Sequence, residues 1–206
     1  MGNDRNRLLS LEEHISESSG ILGLRSIPHI VVEKRGPPNA RTNLSKILIT
    51  TSALDIFTEE EQFAIIDHEL GHISNKYKDW IFYAYLMLPF IAFMMLMWIG
   101  LSVLPVLSTM VLLFSLLLFV ILRFPLNQRI IKLKRRSEFE ADRISAKLGN
   151  KGALISALLK LKPLLNENEG ARGSYHSIVQ LIFRFYFSKN NVYPSIEERI
   201  ERLEVY

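Results

Sequence analysis

The chain has 206 residues, no cysteine and a formal net charge of +4. That length suits one domain, or one domain with a membrane insert. Without cysteine there is no disulfide, thiolate nucleophile or cysteine metal site, so a transition metal has to be held by His, Asp or Glu.

A basic balance fits either nucleic acid or an anionic membrane surface. No nucleic-acid motif is visible, and the cations gather beside one long apolar run. Residues Met1–Ser19 are polar with no apolar core, so no cleavable signal peptide is expected. Asn6 stands where N-myristoylation after Gly2 calls for Ser or Thr.

Three Ser/Thr-x-x-Glu boxes, Ser10–Glu13, Thr58–Glu61 and Ser195–Glu198, mark helix starts. The first predicts a short helix ending near Gly20 or Gly23. His29–Val32, rich in β-branched residues and preceded by Pro28, reads as a strand. Gly36-Pro37-Pro38-Asn39 is a turn, and Ile47–Thr51 a second strand. The second box opens a helix over 59–74.

Trp80 to Leu122 contain no Asp, Glu, Lys, Arg or His. One membrane span needs ~20 apolar residues, so the run supplies two, at about 80–100 and 106–122. Gly100, Ser102 and Pro105 mark the turn between them. A hairpin returns both ends to one side. Lys76 and Lys78 flank one end, and Arg123, Arg129, Lys132 and Lys134–Arg136 the other, while the turn is uncharged. The positive-inside rule then puts the flanks in the cytoplasm of a cell-membrane protein with two spans. Trp80, Tyr83, Tyr85 and Trp98 are expected interfacial anchors. The alternative is a buried hairpin of a soluble protein, for which a chain of this size has little room.

After the hairpin, Pro125 and Asn127 predict a break. A helix over 129–148 follows, ended by Gly149, and then an amphipathic helix over 151–165. Asn166–Gly173 reads as a polar loop. Tyr175–Phe187 is apolar and suits a core helix or the membrane surface. The third box opens a terminal helix, 195–204. The organisation is one domain, 1–206, with the hairpin 80–122 inserted.

The chemistry sits on either side of that insert. His68-Glu69-Leu70-Gly71-His72 is an H-E-x-x-H pattern on a helix. Residues four apart share a face, so His68 and His72 can hold one ion, with Glu69 placed to act as general base on a water. The bland alternative is two surface histidines beside a solvated Glu. A mid-helix Gly71 costs ~1 kcal/mol against Ala, and close approach of substrate or of another element is a reason for it. Catalytic zinc takes three protein ligands and keeps a position open. Glu138, in Glu138-Phe139-Glu140-Ala141-Asp142, can be the third ligand. Asp142, one turn on, can accept the N–H of a ligating imidazole. Glu140 points about 200° away. The ordinary reading of Glu138 is an ion-pair partner for Arg135 or Arg136.

The sequence resembles the HtpX-type membrane metalloproteases, relatives of the CAAX prenyl endopeptidases, over roughly 20–203. Asp67–Ile73 resembles their zinc helix, and Ser137–Asp142 their E-x-x-A-D element, whose Glu is the third ligand. Pro38-Asn39-Ala40 resembles the segment before their substrate-binding edge strand. Ile49–Leu54 with Thr58–Glu61 resembles the strand and helix start before the zinc helix. A hairpin between the two zinc motifs is also a family feature.

The resemblance implies a gluzincin-like α+β fold, mainly α with a small β-sheet, interrupted by the transmembrane hairpin. It also implies one Zn2+ per chain, catalysis at the cytoplasmic face and turnover of damaged membrane proteins. Two departures stand out. No apolar run precedes the P-N-A segment, where bacterial members carry further spans. Tyr193-Pro194 replaces the usual His-Pro before the last helix. Tyr193 is then a candidate oxyanion donor or a packed turn residue, with His176 and Arg199 as rivals.

The leading expectation is a zinc endopeptidase acting on membrane or misfolded polypeptides, with Glu69 as base. A narrow-specificity processing protease and a non-catalytic membrane protein clamped by structural zinc are the alternatives. Oligomeric state is not legible.

Overall fold

The computed structural model describes residues 2–43, 46–103, 108–171 and 193–206. Helix α1 (Gly2–Ile21) leads into strand β1 (His29–Glu33), followed by β2 (Ala40–Asn43) and β3 (Lys46–Thr50). Then come α2 (Thr51–Ile56), α3 (Glu59–Ser74), α4 (Lys76–Val103), α5 (Ser108–Ser145), α6 (Lys151–Ala171) and α7 (Ile196–Val205). The fold is mainly helical with a small sheet.

The sheet order is β1-β3-β2. Strand β1 runs parallel to β3 and β2 antiparallel to it, so Ile47 faces Ile30 on one side and Thr42 on the other. Among the described residues, β2 is therefore an edge strand. Thr50 ends β3 and caps α2, its hydroxyl accepting from the Ala53 amide at 3.3 Å. The same hydroxyl accepts from the Asn39 amide at 3.0 Å, which ties the turn before β2 to the end of β3.

Helix α3 covers Glu59–Ser74 as expected, and its capping box at Thr58 and Glu61 has both bonds. A buried Gln62 amide donates to the Leu54 and Phe57 carbonyls at 3.0 and 2.7 Å, fixing α2 onto α3. Leu11, Ile15, Ile47, Ile49, Ile66 and Leu70 form the main core between α1, the sheet and α3. Leu154, Leu158 and Leu203 pack with Ala64 on the other side of α3. The metal-motif helix is thus sandwiched, which is why Gln62, Asp67, His68 and Glu69 are buried.

Several elements differ from expectation. Ser10 lies inside α1 rather than at its start, since the helix already runs from Gly2. Its hydroxyl pairs with Glu59. Strand β3 gives up Thr51 to α2. Helix α5 runs unbroken through Pro125 and Asn127, joining the second predicted span to the helix expected to start at 129. A π-type turn (Ala146–Asn150), with Gly149 at φ 96°, ends it. Helix α6 continues through 166–171, expected as loop. The apolar segment 175–187 and His176 lie outside the described residues.

Helices α4 and α5 pack as a hairpin between the two halves of the metal motif. Among the described residues, no helix is long and apolar enough to cross a membrane. Over the described residues, the spans expected at 80–100 and 106–122 correspond to the helices α4 and α5 of this hairpin.

Helix α3 meets α5 at Gly71. A Cβ there would lie 2.8 Å from Ala141 Cα and 3.2 Å from Ala141 Cβ. Helix propensity alone favours Gly71→Ala by about 1 kcal/mol. Overpacking against main chain costs about 1–3 kcal/mol and spreads the two helices. Gly71→Ala is expected to lower the melting temperature and weaken metal binding. A melting point at or above wild type would show that the contact does not set the helix spacing.

Candidate metal centre

His68 and His72 lie one turn apart on α3, and Glu138 and Asp142 one turn apart on α5. The Gly71–Ala141 contact holds the two pairs face to face. His68 Nε2 lies 3.2 Å from His72 Nε2. Glu138 Oε2 is 3.6 Å from His68 Nε2, and Oε1 is 3.7 Å from His72 Nε2. Among the described residues, these three form a cluster able to hold a metal ion. Ligands ~2.1 Å from a tetrahedral ion stand ~3.4 Å apart, close to the three distances seen. The donor set of two imidazoles and one carboxylate suits zinc and leaves a fourth position for a reactant.

The far side of each imidazole is also engaged. His68 Nδ1 is 2.9 Å from Asp142 Oδ1. A carboxylate only accepts, so Nδ1 carries the proton and Nε2 is turned towards the cluster. His72 Nδ1 is 3.4 Å from the Ser137 hydroxyl. Asp142 is shared: Arg199 Nε donates to Oδ2 at 2.8 Å and Nη2 to Oδ1 at 2.5 Å. Arg199 Nη1 also stands 3.9 Å from Glu138 Oε2. Helix α7, started by the Ser195–Glu198 capping box, carries this guanidinium to the site.

Asp67, just before His68, is fully buried. His14 Nε2 contacts its Oδ1 at 3.0 Å, and Asn150 Nδ2 donates to its Oδ2 at 2.6 Å. The metal helix is thereby tied to α1 and to the end of α5.

Glu69 is buried, and the Thr42 hydroxyl donates to its Oε2 at 2.6 Å. Neither Thr42 nor Ser137 was singled out from the sequence. Ser137 lies within the Ser137–Asp142 stretch, whereas nothing in the motifs points to Thr42. Arg199 sits at the cluster with Asp142. Tyr193 is half-exposed, with its hydroxyl 3.3 Å from Lys134 Nζ and its carbonyl 3.5 Å from Arg135. Glu140 pairs with Arg143 at 3.6 Å.

The charges are interdependent. Burial works against an imidazolium at His68, but hydrogen bonds to Asp142 and Glu138 outweigh it and raise its pKa to about 9. Burial pushes Asp142 up, but His68 and Arg199 hold it down at about 2. Burial likewise opposes a carboxylate at Glu138, yet His68, His72 and Arg199 keep it below its ordinary value.

These shifts fix the pH response of the metal-free protein. His68 has a folded pKa above its ordinary 6.5, so its contribution is full below that value and is lost as pH rises through about 9. Asp142 contributes above its ordinary 3.8, and that contribution is lost as pH falls towards about 2. Chelator-treated protein should therefore melt higher at pH 5.5 than at pH 9. Metal binding needs a neutral imidazole and so runs the other way. Affinity should rise by up to about tenfold per pH unit between pH 6 and 8, with about one proton released per ion. Calorimetry in buffers of different ionisation enthalpy measures that proton, and pH-independent affinity would refute the charge assignment.

Comparison with known proteins supplies the family. The sequence profile of Peptidase family M48 matches residues 5–206. Among solved structures, the crystal structure of S. mikatae Ste24p superposes with a TM-score of 0.58 at 20% sequence identity. The match covers 92% of this chain and 49% of Ste24p, so the chain spans about half the length of that protein. The search of curated proteins returned no match. With nearly the whole sequence under one profile, the chain belongs to peptidase family M48, a family of metallopeptidases.

Proposed function

We propose that the protein is a zinc-dependent endopeptidase, anchored in a membrane by the α4–α5 hairpin, that hydrolyses membrane or misfolded polypeptides at the cytoplasmic face. The observation that carries the catalytic reading is the convergence of His68, His72 and Glu138 beside an intact, buried Glu69. A purely structural clamp has no use for a carboxylate at that position.

Zinc, when held by His68, His72 and Glu138, supplies a Lewis acid that lowers the pKa of water and polarises a carbonyl. The chain's own groups do the rest. Asp142 keeps the His68 proton on Nδ1, and Arg199 keeps Asp142 ionised. Glu69 accepts a proton from the attacking water and returns it to the departing amine. One carboxylate oxygen of Glu69 is engaged by Thr42, which leaves the other for that exchange. The developing oxyanion needs a further donor. Of the described candidates, Arg199 lies at the cluster, whereas Tyr193 contacts Lys134. Among the described residues, strand β2 lies at the sheet edge, where an extended polypeptide can pair.

The membrane reading rests on the hairpin's surface. Phe90, Ile91, Met94, Met95 and Trp98 on α4, and Leu113, Phe114 and Leu117 on α5, are exposed, Trp98 by 72%. An apolar patch of this kind marks a contact with lipid or protein. With uncharged sequence throughout 80–122 and cations at both ends, lipid is the fitting partner, with the site on the cation-flanked, cytoplasmic side. The expected partners are the bilayer and polypeptide substrates, not nucleic acid.

The test uses full-length protein purified in detergent without chelator. Wild type and Glu69→Gln should each hold about one zinc per chain, with casein cleaved by wild type alone and slowed at least ~100-fold in the variant. His68→Ala and Glu138→Ala should lose zinc and cleavage together. Zinc without cleavage in wild type would favour the structural clamp or a narrow processing enzyme. Equal cleavage by Glu69→Gln would remove the base from the mechanism.

A further inference from the structure

The residue best placed to control Glu69 belongs to none of the zinc motifs. Thr42 Oγ1 lies 2.6 Å from Glu69 Oε2 and 3.2 Å from the Glu69 main-chain oxygen. A hydroxyl has one proton to donate, and the shorter, charge-assisted contact takes it. Glu69 is only 8% exposed, so bulk water is a poor substitute for this donor. The terminal torsion of a glutamate is broad and nearly two-fold, so nothing intrinsic to the side chain fixes its carboxylate plane. Thr42 is held in turn by pairing with Ile47 across β2 and β3.

We propose that Thr42 is a positioning residue for the Glu69 base. Its hydroxyl anchors Oε2 and so orients the carboxylate, and the other oxygen faces the reacting water. This rests on the proteolytic reading given above. The donor rides on the edge strand, so the orientation of the base is tied to the element on which an extended substrate would pair. A base held at the wrong angle still binds substrate and metal but transfers its proton slowly. The signature is therefore in kcat, not in KM.

Thr42→Val keeps the β-branch and the strand preference while removing the donor. In the full-length, zinc-loaded protein cleaving a casein-derived peptide, Thr42→Val should retain wild-type zinc content. KM should change by less than about twofold and kcat should fall about tenfold. Thr42→Ser, which restores the hydroxyl, should recover most of the rate.

A second readout needs no activity. In metal-free protein, the falls in unfolding midpoint for Thr42→Val and Glu69→Ala should be less than additive in the double variant, because both remove one hydrogen bond. Wild-type kcat in Thr42→Val, failure of Thr42→Ser to rescue, additive midpoints, or a loss confined to KM or zinc content would each overturn the assignment. If zinc-loaded wild type cleaves nothing, the proteolytic reading itself fails and the catalytic role of Thr42 falls with it. The unfolding cycle would then still report on the bond alone.

Discussion

The contact between Gly71 and Ala141 is the constraint from which the centre follows. Two helices far apart in sequence approach so closely that a single added carbon would strike main chain. Interhelical distances of 8–10 Å are ordinary where side chains intervene. Here the absence of one lets His68 and His72 on α3 reach Glu138 and Asp142 on α5. The same crossing fixes register, since His68 and His72 sit one turn apart, as do Glu138 and Asp142, and a slip along either helix would misplace both partners. The hydrophobic core on the two faces of α3 holds the crossing in place.

Around that crossing the protein concentrates charge where water is scarce. Burial disfavours every ion in the group, and each is kept by a partner: His68 by Asp142 and Glu138, and Asp142 by Arg199. Against an apolar replacement of the same volume such a network gains little stability, since desolvation consumes much of the attraction. What it secures is orientation. A proton on His68 Nδ1 leaves Nε2 facing the ligand cluster, and a cation entering there takes over the role that a proton plays in the metal-free state. Metal and proton therefore compete for one site, which is why the two pH responses have opposite signs.

Much of the site was legible because H-E-x-x-H and E-x-x-A-D are short-range patterns on regular helices, and helical periodicity converts spacing into geometry without knowledge of the fold. The span of α3 followed from its capping box and its apolar stripe for the same reason. Gly71 was recognisable as anomalous, but only the packing showed that Ala141, not substrate, fills the space beside it. Thr42 was invisible: a threonine in a short strand carries no signal, and its partner is 27 residues away. Ser10 misled, because a Ser-x-x-Glu box caps a helix only when the preceding residues leave helical geometry, and here those residues are already part of α1. Pro125 misled similarly, since a proline biases a helix to stop but does not compel it. The small β2 strand emerged from resemblance rather than from hydrophobic alternation, as Ala40–Asn43 has none.

The ligand set is split by the hairpin, and its last supporting group comes later still. His68 and His72 leave the ribosome before α4 exists, Glu138 and Asp142 follow only near the end of α5, and Arg199 arrives with α7, 131 residues beyond His68. Contacts of such sequence separation form slowly, because a long loop must close first. During synthesis the two histidines stand without a third ligand, and Asp142 stands without the arginine that keeps it ionised. A metallopeptidase assembled in this order has no complete centre while its own chain is still extended and most exposed to cleavage. The topology thus delays completion of the centre until α7 has formed.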